Sequence, residues 1–245
     1  TFPPPNRKPR THIEKVVQKK EELDNRDREE TRLSDQQVDC IEHWNKLLKQ
    51  LPEEEYPNLP SFPIWGDELG ATYPYEDKTP MRLTRTELIS HLHLNGRRGL
   101  ARLSWRDLLD LLPAYATRGA TFPYWKIRFI RQNREWFQEI EEEISDGWGE
   151  ELQTLPPSLR KLEWNCKGEK RDLWEHILQF RSSGLRVKRY ENSPSLVSMT
   201  TTQIPILGPE RRFITRKEGL KLQGFPAHYR LPESRDDAFK ALGNA

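Results

Sequence analysis

Apolar positions recur at helical spacing in several stretches of the chain. After Ser34, the residues Val38, Ile41, Trp44, Leu48 and Leu51 fall on one face, and Pro52 ends the run. Ser34 with Gln37 three residues on forms a capping-box pattern that fixes where this helix starts. Thr86–Leu94 and Ser104–Leu112 predict two short helices joined by the turn NGRRG, with Ser104 as cap and Asp107 in the first turn. Trp125, Phe129, Trp136, Ile140 and Ile144 predict one long amphipathic helix over Tyr124–Ile144, basic in its first half and acidic in its second. Asp172–Phe180 is a further short helical candidate. From Ser183 to Leu207 the pattern changes: Leu185, Val187, Leu196, Val197, Ile204 and Ile206 among many Ser and Thr predict strands and turns. Thr1–Pro9 is proline-rich and extended. Thr11–Arg32 is dense in both charge signs and reads as a solvated helix or mobile connector. Glu53–Pro80 is irregular but rich in aromatic residues, so it is expected to pack against its neighbours.

Composition narrows the class. Apolar residues make up 34% of the 245 and charged residues 32%, yet eight Trp and nine Phe supply enough large apolar groups to build a core. No apolar run approaches the ~20 residues that span a bilayer, so no membrane partner is expected. Cys40 and Cys166 are the two cysteines, too few and too far apart for a disulfide framework or a zinc site, and the histidines, His91 and His93 among them, lack metal-ligand companions; no metal is expected. The net charge of +2 does not by itself predict a nucleic-acid partner. Its distribution is more informative: Arg97, Arg98, Arg102 and Arg106 cluster, as do Lys126, Arg128, Arg131 and Arg134, and again Arg181, Arg186, Lys188 and Arg189. Such patches can follow a phosphate backbone, although ordinary solvated surface has the same appearance.

The C-terminal region carries the most specific pattern. In RRFITRKEGLKLQGFP (Arg211–Pro226), Thr215 caps a short helix and Glu218 stands at the third position to complete a capping box. Leu220, Leu222 and Phe225 supply its apolar face, Gly224 allows a tight stop and Pro226 forbids continuation. A second short helix, Asp236–Leu242, ends in Gly243-Asn244. These two segments resemble the ninth and tenth conserved motifs of the DNA (cytosine-5) methyltransferases of bacterial restriction–modification systems. Arg212, Ile214, Thr215, Glu218, Leu222, Gln223, Phe225 and Pro226 fall in register with the family's ninth motif, while Lys217 and Lys221 stand where the family usually has Arg, keeping charge but losing the planar fork. Upstream, Ser195-Leu196 within Ser183–Ile206 matches the dipeptide that closes the family's target-recognition domain, and Thr1–Val17 is similar to the segment after its eighth motif.

The resemblance implies an α+β chain: a mainly helical target-recognition domain with a small β region, plus a C-terminal segment that completes an α/β S-adenosylmethionine-dependent methyltransferase domain. It divides the chain into a connector (1–32), the target-recognition domain (33–207) and the ninth and tenth motifs (208–245). The ninth motif then organises the recognition domain against the catalytic domain, and Gly243 and Asn244 line the S-adenosylmethionine pocket. Arg186, Lys188, Arg189 and Thr200, Thr201, Thr202 and Gln203 form the base-reading loop, with Arg97, Arg98, Arg128 and Arg131 on phosphates.

The family's nucleophile is a cysteine after proline. Cys40 (VDCIE) and Cys166 (EWNCK) follow no proline and read as buried, inert thiols. A glycine-rich donor loop is also missing. No catalytic residue is therefore expected in this chain. The implied function is DNA recognition for an enzyme that moves a methyl group from S-adenosylmethionine to carbon 5 of a cytosine flipped from duplex DNA. A catalytic half, as separate subunit or remainder of the chain, supplies the thiolate that attacks carbon 6. The expected setting is the bacterial cytoplasm, beside the nucleoid. The alternative is a non-catalytic DNA-binding module derived from such an enzyme, and a third possibility is an unrelated helical interaction protein that binds no DNA.

Overall fold

The computed structural model describes residues 13–94, 99–191, 193–194, 196, 203–226 and 228–244. Its helices are α1 (Asn25–Glu30), α2 (Asp35–Gln50), α3 (Arg85–Leu94), α4 (Trp105–Asp110), α5 (Tyr124–Glu139), α6 (Trp148–Thr154), α7 (Arg216–Leu222) and α8 (Arg235–Gly243). The strands are β1 (Ile64–Trp65), β2 (Lys161–Asn165), β3 (Ile177–Arg181), β4 (Gly184–Lys188), β5 (Ile206–Leu207) and β6 (Arg212–Phe213). The chain is thus α+β. It packs as two compact units, one made of residues 1–41 with 168–245 and the other of residues 42–167.

In the first unit, β3 and β4 form an antiparallel hairpin, β5 adds to β3 and β6 to β5, each antiparallel. Residues 172–180, expected as a helix, instead make one short 3₁₀ turn at Leu173–Glu175 and then enter β3, whose first four residues are all buried. A strand covered on both faces loses the alternation that would reveal it. The β5–β6 turn brings Gly208 so close to the backbone carbonyls of His176 and Trp174 that no Cβ fits, and Arg211 takes a positive φ of 50°.

The charged stretch before α2 is also not the solvated helix or mobile connector expected. Ile13, Val16 and Leu23 are buried, Asp24 caps α1 by accepting from the Asp27 amide at 2.7 Å, and the Phe213 amide donates to the Thr31 carbonyl at 2.8 Å. The cap of α2 forms as expected: the Ser34 amide donates to Gln37 Oε1 at 2.9 Å and the Gln37 amide to Ser34 Oγ at 3.3 Å.

In the second unit, β1 pairs antiparallel with β2, Ile64 opposite Leu162. The α5 helix ends at Glu139, short of Ile144, and continues as a 3₁₀ turn at Glu141–Glu143. Its buried face runs through Ile130, Asn133, Trp136 and Phe137, which leaves Trp125 exposed rather than in the core. Asn133 explains the shift: its Oδ1 accepts from the Trp65 amide at 2.6 Å and its Nδ2 donates to the Pro63 carbonyl at 3.1 Å, clamping α5 to β1. The α4 cap is the expected box, Ser104 amide to Asp107 Oδ2 at 2.9 Å and Asp107 amide to Ser104 Oγ at 3.2 Å. At α3, the Thr84 amide and hydroxyl donate to Glu87 and hold its carboxyl down at about 2.

His43 on α2 stacks on Trp148, ring centroids 4.6 Å apart. Burial lowers its pKa below the ordinary 6.5, with Glu151 opposing, and burial likewise lowers His91. The folded chain therefore favours neutral imidazoles, so their contribution is complete above about pH 6.5 and declines as the pH falls through that value. The melting temperature is expected to drop between about pH 7 and about pH 5, and His43→Gln to flatten part of that drop in thermal melts.

Candidate functional site

The ninth-motif helix α7 is held at both ends. At its start the Thr215 amide donates to Glu218 Oε2 at 2.7 Å and the Glu218 amide to Thr215 Oγ1 at 3.0 Å. At its end Gly224 has φ +75°, its amide donates to the Lys221 carbonyl at 3.1 Å, and the Phe225 amide reaches the Leu220 carbonyl at 3.0 Å, a Schellman stop.

Glu218 is fully buried. It takes a two-pronged ion pair from Arg212, Nη2 to Oε1 at 2.8 Å and Nη1 to Oε2 at 2.9 Å, and its Oε1 also accepts from the Gln18 amide at 2.6 Å. Thr215 Oγ1 donates to Gln18 Oε1 at 2.6 Å, and Arg212 Nη2 donates to the Gln18 carbonyl at 3.2 Å. Burial works to lower the Arg212 pKa, but the hydrogen bonds and charge of Glu218 outweigh it and the net shift is upward. Lys217 pairs with Asp27 at 3.3 Å and Asp24 at 3.7 Å. These contacts bind the N-terminal segment to the motif across almost the whole sequence. Gln18 carried no local signal for this role, since its partners lie about two hundred positions away in the chain.

The tenth-motif helix α8 lies against α7. Gln223 Nε2 donates to the Leu242 carbonyl at 2.7 Å, and a Cβ on Gly219 would stand 2.8 Å from Leu242 Cδ1. Gly243 stays within α8 rather than turning the chain, and Asn244 caps it, its amide donating to the Ala241 carbonyl at 3.2 Å.

The basic residues expected to meet DNA fall in both units. In the first, Leu185 and Val187 of β4 are buried while Arg186 and Lys188 alternate outward, half-buried. Arg186 faces Gln179 across the hairpin, and Gln179 Nε2 donates to the Gln203 carbonyl at 2.6 Å, so Arg186 and Gln203 are gathered around one residue. Arg189 Nε lies 3.1 Å from Glu169 Oε1. Thr200, Thr201 and Thr202 lie outside the described residues, as do Arg97 and Arg98 in the second unit.

In that second unit Arg128 is exposed, and Arg131 Nη2 is ion-paired with Glu76 at 2.7 Å. Arg134 is not part of a surface cluster. It lies between the rings of Tyr73 and Tyr75, 4.4 and 4.7 Å from their centroids, with its Nε 2.9 Å from buried Glu68.

Cys40 and Cys166 are buried, and burial pushes the Cys40 thiol up to about 12. Among the described residues no group of three His, Cys, Asp or Glu side chains could hold a metal ion, and no helix is long and apolar enough to cross a membrane.

The chain is similar to a methyltransferase. Over 222 residues, 87% of this chain, it is 30% identical to the type II methyltransferase M.AluI of Cellulosimicrobium cellulans. The matched part is 41% of that protein, so the chain spans about two fifths of the length of the relative. No family model and no solved structure matches it.

Proposed function

We propose that this chain is the DNA-recognition part of a type II DNA (cytosine-5) methyltransferase, with the catalytic half in a separate subunit or in the remainder of a longer polypeptide. The observation that carries the reading is the packing of α7 on α8. Two segments that resemble the ninth and tenth motifs in sequence share the Gln223–Leu242 hydrogen bond and an apolar contact at Gly219. The 30% identity to a type II methyltransferase over most of the chain supports the same reading.

In this reading the Arg212–Glu218–Gln18 network is scaffold, holding the N-terminal segment and β6 to the motif helix. Residues 33–207 supply recognition, residues 1–32 the connection from the catalytic half, and 208–245 the closing motifs. S-adenosylmethionine, when bound, supplies the methyl group. Asn244, exposed, fits one edge of its site together with the Gly243 backbone; the other walls belong to the catalytic half. Double-stranded DNA is the substrate. Arg186, Lys188, Arg189 and Thr200–Gln203 read base edges, and Arg97, Arg98, Arg128 and Arg131 hold phosphates.

Arg186→Gln is expected to cost about 1–3 kcal/mol at the preferred base pair and relax site preference, because Arg reads guanine through two hydrogen bonds. Arg128→Gln is expected to weaken all duplexes alike and reduce the salt slope of binding by about 1. Titrations of labelled duplexes at several salt concentrations check both, and unchanged affinity in both variants refutes the assignment. Mixing the chain with a polypeptide that carries a Pro-Cys nucleophile and a glycine-rich donor loop is expected to restore methyl transfer to DNA. DNA binding without any such restoration favours the derived, non-catalytic module.

A further inference from the structure

Among the described residues four large apolar side chains are substantially exposed, and two of them are consecutive: Tyr124 at 79% and Trp125 at 53%. Isolated exposed aromatics are ordinary surface. This pair is not isolated from charge. Trp125 meets Phe129 edge to face, centroids 6.1 Å apart and planes at 73°, and stays half exposed. Lys126 Nζ sits 5.8 Å from the Trp125 ring and 5.2 Å from the Phe122 ring, and donates to the Tyr115 carbonyl at 2.8 Å. Lys161 Nζ stands 5.0 Å above the Tyr115 ring and 4.9 Å from Trp65.

The two ammonium groups therefore converge on one tyrosine. Exposed Arg118 joins them: burial first, then Arg118 and Lys161, hold Lys126 below its ordinary pKa, while burial and Arg118 lower Lys161 against the opposing pull of Asp67. Asp67 is itself engaged by Arg160 Nη1 at 3.2 Å. Like charges gathered in this way are relieved by an incoming anion.

Resting on the reading of the chain as a DNA-recognition part, we propose that Tyr124 and Trp125 form a stacking platform for an unpaired DNA base, with Lys126, Lys161 and Arg118 taking the phosphates that flank it. The chemistry favours this occupant. A raised aromatic face is covered well by another flat π-surface, which an unstacked base presents and a fully stacked duplex does not, and stacking of this kind tolerates any base. The cations match the phosphate spacing of a strand only by charge, so they add affinity without sequence preference. Neither aromatic was legible as a binding residue in the sequence, where Trp125 falls on the apolar stripe of its helix.

The test uses the full chain and fluorescence anisotropy with two labelled duplexes of one sequence, fully paired or carrying a single unpaired base. Wild type is expected to bind the second roughly tenfold more tightly, within the usual range for one stacked base. Trp125→Ala is expected to abolish that preference while leaving the fully paired duplex within about twofold of wild type, and Trp125→Phe to retain most of it. Arg118→Gln is expected to lower affinity for both duplexes and the salt slope by about 1. Both tryptophan changes are at an exposed position, and circular dichroism verifies folding. A preference for the unpaired base that survives Trp125→Ala, or is absent in wild type, overturns the platform while the recognition reading stands on the Arg186 and Arg128 results. No binding to either duplex by wild type overturns both.

Discussion

Glu218→Ala is expected to destabilise the first unit by about 3–5 kcal/mol, a large part of the ~5–15 kcal/mol that holds a typical domain together. The carboxylate is fully buried and accepts from Arg212 twice, from the Gln18 amide and from the Thr215 amide. Its removal strands a buried guanidinium, whose Nε already lacks a hydrogen-bond partner among the described residues, together with two backbone donors. Replacing both charges, Arg212→Met with Glu218→Leu, is expected to recover only part of the loss, since the Gln18 and Thr215 amides stay unpaired. Lys217→Ala provides the contrast. Its pairs with Asp24 and Asp27 involve a side chain that is 58% exposed, so the cost is expected within about 1 kcal/mol. Urea denaturation gives the magnitudes. Hydrogen exchange shows where they act, with Glu218→Ala expected to raise exchange at β6, α7 and the Gln18 amide. A small effect at Glu218 would mean that the motif helix is held by apolar packing alone.

What the sequence disclosed follows from the range of the interactions. The boxes Ser34/Gln37, Ser104/Asp107 and Thr215/Glu218 were readable because the partners are three residues apart, and each appears with both hydrogen bonds made. The stop at Gly224 was readable for the same reason. The role of Gln18 was not, because its partners sit near position 218 and a polar residue among charges gives no sign that it is buried. Strand β2 went unread although Leu162 and Trp164 alternate with polar neighbours, a pattern too short to stand out beside the helical stripes. The stripe through Trp125 held in part, with Trp136 and Ile140 buried and Phe129 against the core, but Asn133, polar by type, takes a core position by bonding to Trp65 and Pro63, and Trp125 is left exposed. Of the candidate site, the segments resembling the ninth and tenth motifs were legible from residue order alone. The gathering of Arg186, Gln179 and Gln203 needed the β3–β4 register.

The second large effect is expected at Glu68, the buried acid of the other unit. Its carboxylate accepts from the Tyr73 hydroxyl, from the Tyr115 hydroxyl at 2.6 Å and from Arg134 Nε at 2.9 Å. Burial, with the charge of Glu68 adding to it, raises both tyrosines well above their ordinary pKa, so neither is expected to ionise before the unit unfolds. Glu68→Ala leaves a half-buried guanidinium, whose buried Nη2 has no hydrogen-bond partner among the described residues, and two hydroxyls that lose their Glu68 acceptor. The expected cost is about 3–5 kcal/mol, with hydrogen exchange rising at β1, α5 and the residues around Tyr73 while β6 and α7 keep their protection. Glu68→Gln retains an acceptor oxygen for the two hydroxyls but sets an amide NH2 against Arg134 Nε, losing that hydrogen bond as well as the charge, so only part of the cost is recovered. Because Tyr115 also carries Lys126 on its carbonyl and Lys161 over its ring, loosening it disperses these two ammonium groups. Glu68→Gln is therefore expected to weaken binding to the paired and the unpaired-base duplex alike, as Arg118→Gln does, and to leave the preference carried by Trp125 in place. Loss of the preference for the unpaired base along with affinity would instead mark a general loss of order in the unit.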